Sequence, residues 1–106
     1  MKMARINISH DFSEYPAGRY KADGPYSGEA FRDDILTPAL NENDVVEITF
    51  DGAMVYGSSF LEEAFGGLVR VSRFSREALR RKLKLFYKED PIVIDEVWQY
   101  IDSAHG

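Results

Sequence analysis

The chain has 106 residues, of which 44% are hydrophobic, and it carries a formal net charge of -5. This length suits one compact domain that buries roughly two-thirds of its unfolded surface, so we expect a single domain over residues 1–106. The negative charge disfavours indiscriminate binding to nucleic acid or anionic lipid. There is no cysteine, which excludes disulfides, thiol catalysis and thiolate zinc sites. We see no membrane-length apolar run and no signal peptide, and therefore expect a cytoplasmic protein without a membrane partner.

The first half of the chain contains strand-like and helix-like patterns in alternation. A short strand is predicted over residues 5–8, and a second around residues 19–21 inside a segment rich in Gly, Pro and Tyr. Ser27 is predicted to cap a helix that Pro38 kinks or interrupts near Leu36. The stripe expected to face the core of that helix consists of Phe31, Ile35, Leu36, Ala39 and Leu40.

A buried strand that turns into a helix is the most informative part of the sequence. Residues 45–50 alternate as a strand does, and a helix is predicted from Ser59 to about Val71. Ser59 followed by Glu62 has the spacing of a capping box, so we expect Ser59 to be the N-cap. The helix should bury Leu61, Phe65 and Leu68 against Ile48 and Phe50. Its Gly66-Gly67 pair lowers helix propensity, which predicts close packing of another backbone at this point.

The last part of the chain repeats the alternation. Ser75 is predicted to cap a short helix that ends near Arg81, and residues 83–87 form a half-buried strand. Asp90 and Pro91 fit the cap and first position of a final helix. The buried stripe of that helix is predicted to be Ile94, Val97, Trp98 and Ile101.

Alternating strands and helices indicate an α/β fold with a small mixed, mostly parallel sheet of about four strands and three to four helices. In such sheets successive helices begin at the carboxyl edge. We therefore expect the helix starts at Ser27, Ser58-Ser59 and Asp90 to lie along one rim, where open α/β sheets usually bind ligands.

Several motifs resemble those of DUF4325, a STAS-like domain family of unknown function. They are Gly18-Arg19-Tyr20, residues 23–29, Phe31-Arg32 and Ser59-Phe60-Leu61-Glu62-Glu63, and the resemblance extends over nearly the whole chain. It implies a STAS-like fold and a binding role without an established activity. The strand-to-helix turn is more distantly similar to the Asp-Ser-Ser-Gly turn of bacterial anti-sigma-factor antagonists, with Gly57 and Phe60 as departures. That similarity implies an ATP-binding, kinase-like protein partner, with Ser59 or Ser58 as phosphoacceptor.

The leading functional hypothesis is a non-enzymatic regulatory module that binds a protein partner through this rim. Free helix amides and the positive end of the dipole also suit an anion, which favours a nucleotide or small-anion sensor as the alternative. Arg19 is expected either to face the rim or to pair with Asp23 or Glu29, and Glu63 to face solvent or the partner. The candidate partner- or anion-binding residues are thus Arg19, Ser27, Gly28, Gly57, Ser58, Ser59 and Glu63.

Other chemistries have weaker support in the sequence. A serine hydrolase would need His10 or His105 near a serine, and the elbow motif lacks its second glycine because Leu61 occupies that position. No metal-ligand spacing and no cofactor fingerprint is found. A small acidic inhibitor of a host or phage complex and a homo-oligomer are left open. Tyr15, Tyr20 and Tyr26 are read as packing for the long loop.

Eight of the 13 basic residues lie in one segment between positions 70 and 88. This basic segment is interpreted as a solvated face, with an acidic partner surface or a phosphate-bearing ligand as the alternatives. Its members are Arg70, Arg73, Arg76, Arg80, Arg81, Lys82, Lys84 and Lys88.

Overall fold

The computed structural model describes residues 1–105, and its centre is a parallel three-stranded sheet. The strands are β1 (Met3–Asn7), β2 (Val45–Thr49) and β3 (Leu83–Phe86), in the order β1-β2-β3. Both neighbouring pairs are parallel, with Ile6 opposite Ile48 and Ile48 opposite Leu85. The predicted parallel α/β arrangement is confirmed, although the sheet has one strand fewer than the four we expected.

The missing strand is the one predicted around residues 19–21. That segment leads into a 3₁₀ turn at Lys21–Asp23, in which the carboxylate of Asp23 accepts the backbone N–H of Tyr20 at 2.8 Å. This local hydrogen bond satisfies the backbone without a neighbouring strand. The strand prediction is therefore wrong at this position.

The described residues form five helices. They are α1 (Ile8–Asp11), α2 (28–42), α3 (58–70), α4 (Arg76–Lys82) and α5 (Ile92–Ser103). Two of them contain a π-helical turn, at Arg32–Leu36 in α2 and at Glu62–Gly66 in α3. In α2 the turn ends just before Pro38, whose missing N–H breaks the regular α-helical ladder, as the sequence predicted. None of the described helices is long and apolar enough to cross a bilayer.

Side-chain caps define the starts of three helices, among them α1, where the side-chain oxygen of Asn7 accepts the N–H of His10 at 3.2 Å. The other two are caps by serine. The hydroxyl of Ser27 accepts the N–H of Ala30 at 3.1 Å, and Ser75 does the same for Ala78 at 3.1 Å. Both caps were predicted. The cap predicted for Asp90 is wrong, because α5 begins at Ile92 and Asp90 contributes only its backbone carbonyl, to the N–H of Val93 at 3.1 Å.

The sheet is covered on one face only. Side chains on the covered face, such as Ile6, Val46 and Leu83, belong to a single apolar core. The opposite face carries charged side chains at its centre, where Arg5 and Glu47 form an ion pair at 2.9 Å and Lys84 is next in register, and exposed Met3 and Phe86 at its edges. Parallel sheets are usually buried on both faces, so this open face is an unusual feature of the fold.

The loops that follow the strands gather at the carboxyl edge of the sheet. Both carboxylate oxygens of Asp51 accept backbone N–H groups, from Lys88 at 3.2 Å and from Glu89 at 3.0 Å. The N–H of Met54 donates to the carbonyl of Glu14 at 2.9 Å. The loop after β2 is therefore tied to the loops after β1 and β3, and the starts of α2, α3 and α5 follow these loops.

Candidate functional site

The serine pair lies in the first turn of α3 and is exposed. Gly57 occupies the N-cap position with extended backbone angles, and neither Ser58 nor Ser59 makes a capping hydrogen bond. The capping box predicted for Ser59 and Glu62 is therefore wrong. The helix begins one residue earlier than expected, and the carboxylate of Glu62 is held by arginines instead.

We expect alanine substitution of the capping serines, Ser27 and Ser75, to lower stability more than alanine substitution of Ser59. Ser27→Ala and Ser75→Ala should each lower the free energy of unfolding by about 1 kcal/mol, because each removes a cap hydrogen bond. Ser59→Ala should cost less than roughly 0.5 kcal/mol, as for an ordinary surface substitution. Urea unfolding of the three variants tests this. A loss at Ser59 equal to that at Ser75 would contradict the observed helix start.

Two large apolar side chains are exposed beside the serine pair. Met54 is 72% exposed and Val55 is 70% exposed. The loop that carries them is anchored by Tyr56, whose hydroxyl donates to the carbonyl of Phe50 at 2.6 Å. Burial of that phenol raises the pKa of Tyr56 well above its usual value. We call Met54, Val55, Gly57, Ser58 and Ser59 together the rim surface.

Beneath the rim surface, α2 and α3 are joined by a buried ion pair. The Nη1 atom of Arg32 donates to the carboxylate of Glu63 at 2.5 Å and to its backbone carbonyl at 3.0 Å. The two side chains are only 2% and 6% exposed. The Nε atom of Arg32 donates to Asp33 at 3.0 Å, so two carboxylates neutralise this buried guanidinium.

A second layer of charge covers that pair. The guanidinium of Arg70 binds the carboxylate of Glu62 through two nitrogens, at 2.8 and 3.2 Å. Arg19 donates to Glu62 and, at 3.3 Å, to Glu63. We refer to Arg19, Arg32, Glu62, Glu63 and Arg70 as the arginine–glutamate cluster, which links the loop before α2 to the middle and the C-terminal end of α3.

The glycine pair in α3 makes room for this cluster. A Cβ on Gly67 would lie 2.3 Å from Nη1 of Arg32, and one on Gly66 would lie 2.6 Å from an oxygen of Glu62. The Cβ on Gly66 would also lie 3.4 Å from the carbonyl oxygen of Tyr100 in α5. The close approach predicted here is thus made mainly by charged side chains, and only partly by another backbone.

Acid should weaken the cluster. Burial by itself raises the pKa of Glu62, but hydrogen bonds and charge from Arg70 and Arg19 outweigh it, so the pKa lies below the usual value. A carboxylate with a depressed folded-state pKa adds stability above its unfolded-state pKa, and this stability is lost as the pH falls through the folded-state value. We expect stability to fall below about pH 4.5. In Glu62→Gln this fall should be shallower, as measured by urea unfolding across pH; equal slopes would contradict it.

Five of the seven predicted site residues fall into two groups, one exposed and one buried. Gly57, Ser58 and Ser59 are exposed together on the rim surface. Ser27 and Gly28 are buried, and a Cβ on Gly28 would lie 2.4 Å from the carbonyl of Phe60. These two residues position α2 against α3 and leave no exposed polar group for a ligand.

Arg19 and Glu63 have partners other than the predicted ones. Arg19 pairs with glutamates of α3, whereas Asp23 and Glu29 accept backbone N–H groups of Tyr20 and Lys21. Glu63 is buried against Arg32, so its predicted exposure is wrong. The reason is that α3 turns Glu63 toward α2, where a buried arginine requires a counter-charge.

The three loop tyrosines are less buried than expected. Tyr15 is 65% exposed and Tyr20 is 52% exposed, so the prediction that they pack the loop is wrong for both. Tyr26 is 46% exposed and packs edge-on against Phe12, with ring centroids 5.7 Å apart.

The described residues do not contain the serine–histidine pair that a hydrolase would need. Nδ1 of His10 lies 3.1 Å from the carboxylate of Asp11, and within residues 1–105 no hydrogen bond joins a histidine to a serine. The same residues contain no group of three or more His, Asp or Glu placed to hold a metal ion.

Four of the eight basic residues in the segment form ion pairs or hydrogen bonds within the protein. Arg70 belongs to the arginine–glutamate cluster, Arg76 donates to the carbonyl of Ala104, and Arg80 pairs with Asp102 at 2.9 Å. Lys82 donates to the carbonyls of Leu40 and Asn43. The guanidinium of Arg80 also lies 4.1 Å from the ring centre of Trp98, which is half-buried.

Sequence reasoning missed Arg32, Met54 and Val55. Arg32 had a detectable signal, because it lies four residues from Gly28 and from Leu36 on the inward stripe of α2, where a charge requires a partner. Met54 and Val55 had none, since their exposure depends on how the loop after β2 is tied down.

The comparisons with known proteins give one match. The model of the family described as STAS-like domain of unknown function (DUF4325) matches residues 27–93. The chain belongs to this family. Motif residues 18–26 precede the match, which is therefore shorter than the resemblance seen in the sequence. Neither a curated protein nor a solved structure matches the chain.

Proposed function

We propose that this STAS-like domain is a non-enzymatic regulatory module that binds a protein partner through the rim surface. The observation that carries the proposal is the exposed serine pair at the start of α3 beside Met54 and Val55, which are 72% and 70% exposed. Exposed apolar side chains next to polar groups are typical of protein interfaces. The loop that carries them is held by Asp51 and Tyr56, so the surface is formed before binding.

Phosphorylation of Ser59 or Ser58 is the proposed control. A phosphate at the start of α3 would meet the positive end of the helix dipole and the free amides of the first turn. Ser59 lies three and four residues before Glu62 and Glu63, so it shares a helix face with the residues that bind Arg19. A phosphate on Ser59 would then compete with these glutamates for the guanidinium.

The anti-sigma-factor antagonists suggest the class of partner. Their phosphorylated serine occupies an equivalent strand-to-helix turn, and their partners are ATP-binding, kinase-like proteins. On this basis we propose a partner of that class, acting at Ser59 or Ser58. In this chain Gly57 and Phe60 take the places of the aspartate and the glycine of the Asp-Ser-Ser-Gly turn.

Intact mass spectrometry of the protein purified from its own host tests the phosphorylation step. We expect a phosphorylated fraction in the wild type that is lost in Ser59→Ala or Ser58→Ala, according to which serine is the acceptor. Ser72→Ala, two residues after the end of α3, is the control and should keep the phosphate. Unphosphorylated wild type under every growth condition, or phosphate that survives both rim substitutions, would contradict the proposal.

A nucleotide or small-anion sensor is the second candidate, and it rests on the same helix start with Arg19 one turn away. It predicts that ATP or inorganic phosphate raises the melting temperature, and that Arg19→Ala removes this effect. A partner-binding module without a small ligand predicts no change in melting temperature with either compound.

A further inference from the structure

β3 is an edge strand whose outer side is open. The N–H of Phe50 donates to the carbonyl of Phe86 at 2.8 Å, so the backbone of Phe86 faces β2. Backbone groups alternate in direction along a strand, and those of Leu85 therefore face away from the sheet. Within residues 1–105 no hydrogen bond reaches the N–H or the carbonyl of Leu85 on that side. The edge can accept a further strand.

An apolar groove lies beside this edge, between β3 and the start of α5. Its volume is about 670 Å³. Ile92 is 75% exposed in the groove, and Phe86, whose side chain lies with that of Lys84 on the open face of the sheet, is 51% exposed at the same edge. The groove is lined mainly by Leu85, Phe86, Tyr87, Pro91, Ile92 and Ile94.

Charge is distributed unevenly around the groove. Residues 80–88 include five basic side chains and no acidic one, and Arg81, Lys84 and Lys88 among them are exposed. Lys84 lies on the open face of the sheet. The acidic lining residues are Asp51, whose carboxylate is occupied by backbone N–H groups, and Asp95, which lies on the α5 side. On the open face, Glu47 is opposite Lys84 but pairs with Arg5, and Glu89 and Asp90 follow beyond the end of β3, so the charge beside the strand itself is that of Lys84.

We propose that β3 binds an extended peptide of alternating acidic and apolar residues as an added strand. Side chains of an added strand alternate between the two faces of the sheet. Those on the open face would meet Lys84, which favours a carboxylate, and the neighbouring side chain of Phe86. Those on the other face would enter the groove against Leu85, Ile92 and Ile94, which favours apolar side chains. Backbone hydrogen bonds to Leu85 would supply the rest of the binding, as in other strand-addition complexes.

Charge also argues against a second copy of the chain as the occupant. Pairing two β3 edges would bring together two sets of Arg81, Lys84 and Lys88, and like charges across an interface oppose binding. An acidic peptide meets the same groups with the opposite sign. The proposal concerns a surface separate from the rim surface and does not depend on it.

Fluorescence anisotropy with a labelled nonapeptide of alternating glutamate and valine tests the proposal. We expect saturable binding to the wild type, and at least about tenfold weaker binding to Lys84→Glu and to Ile92→Asp. Lys21→Glu and Val71→Asp, exposed positions outside the groove, are the matched controls and should bind as the wild type does. Circular dichroism checks that all four variants are folded.

Two further probes leave the protein unchanged. A peptide with lysine in place of glutamate should bind at least about tenfold more weakly. The glutamate peptide can be N-methylated at alternate residues in two patterns. The pattern that removes the N–H groups facing β3 should abolish binding, and the other pattern should not. Equal binding of all probes, no binding at all, or a dimer that Ile92→Asp dissociates without any peptide binding would overturn the proposal.

Discussion

Glu63→Ala is expected to lower the free energy of unfolding by about 3–5 kcal/mol, since removing one member of a buried ion pair leaves the other charge uncompensated. Arg32 would remain 2% exposed with only Asp33 and a backbone carbonyl as partners. Denaturant unfolding followed by circular dichroism measures the loss.

Two further variants test whether the loss of stability comes from breaking a buried ion pair or from the loss of any charged side chain. The double variant Arg32→Met/Glu63→Leu should recover much of the lost stability, because apolar residues of similar volume can replace a buried pair. Asp102→Ala breaks the exposed pair with Arg80 and should cost less than about 1 kcal/mol. If Glu63→Ala cost no more than Asp102→Ala, then α2 and α3 would not be joined by a buried charge.

Phe65→Ala is expected to cost about 3–5 kcal/mol through loss of buried area and the cavity that remains. Phe65 is fully buried, and its ring lies 5.7 Å from that of Phe50 and 6.3 Å from that of Phe31. Thermal and urea unfolding measure the change.

The control for this substitution is Phe86→Ala, at a residue that is 51% exposed and should lose less than about 1 kcal/mol. Similar losses at the two positions would mean that α3 does not present Phe65 to the core as the structure shows.

The spacing of apolar residues predicted the order of helices and strands because it depends directly on which side chains are buried. Leu61, Phe65 and Leu68 are all buried in one core with Ile48 and Phe50, as their spacing predicted. The error at residues 19–21 arose where no such pattern exists, and a local hydrogen bond from the Tyr20 N–H to Asp23 determined the turn.

The site was less predictable because it depends on contacts between distant segments. Ser59 and Glu62 have the spacing of a capping box, but Arg70 and Arg19 bind Glu62 more favourably than a single backbone amide would. No local rule places Arg19 next to residues 43 and 44 positions away. The π-helical turn of α3, which no proline explains, likewise lies where α3 packs against α2 and α5.

The rim surface is connected to the arginine–glutamate cluster through α3. The rim surface is built on the first turn of α3, and the next turn of the same helix holds Glu62 and Glu63. A change in charge at Ser59 would therefore act on the contact between Arg19 and α3. This makes the loop before α2 the first segment expected to respond to phosphorylation.

Site-specific photo-crosslinking in the native host tests the central claim, that the rim surface binds a protein partner. A photoreactive amino acid would replace Val55 on the rim surface or, as the control, Val71, which is 53% exposed at the other end of α3. We predict one discrete adduct from position 55 that is absent from position 71 and is lost when Met54→Asp is added. No adduct at position 55, or the same adducts from both positions, would contradict the account.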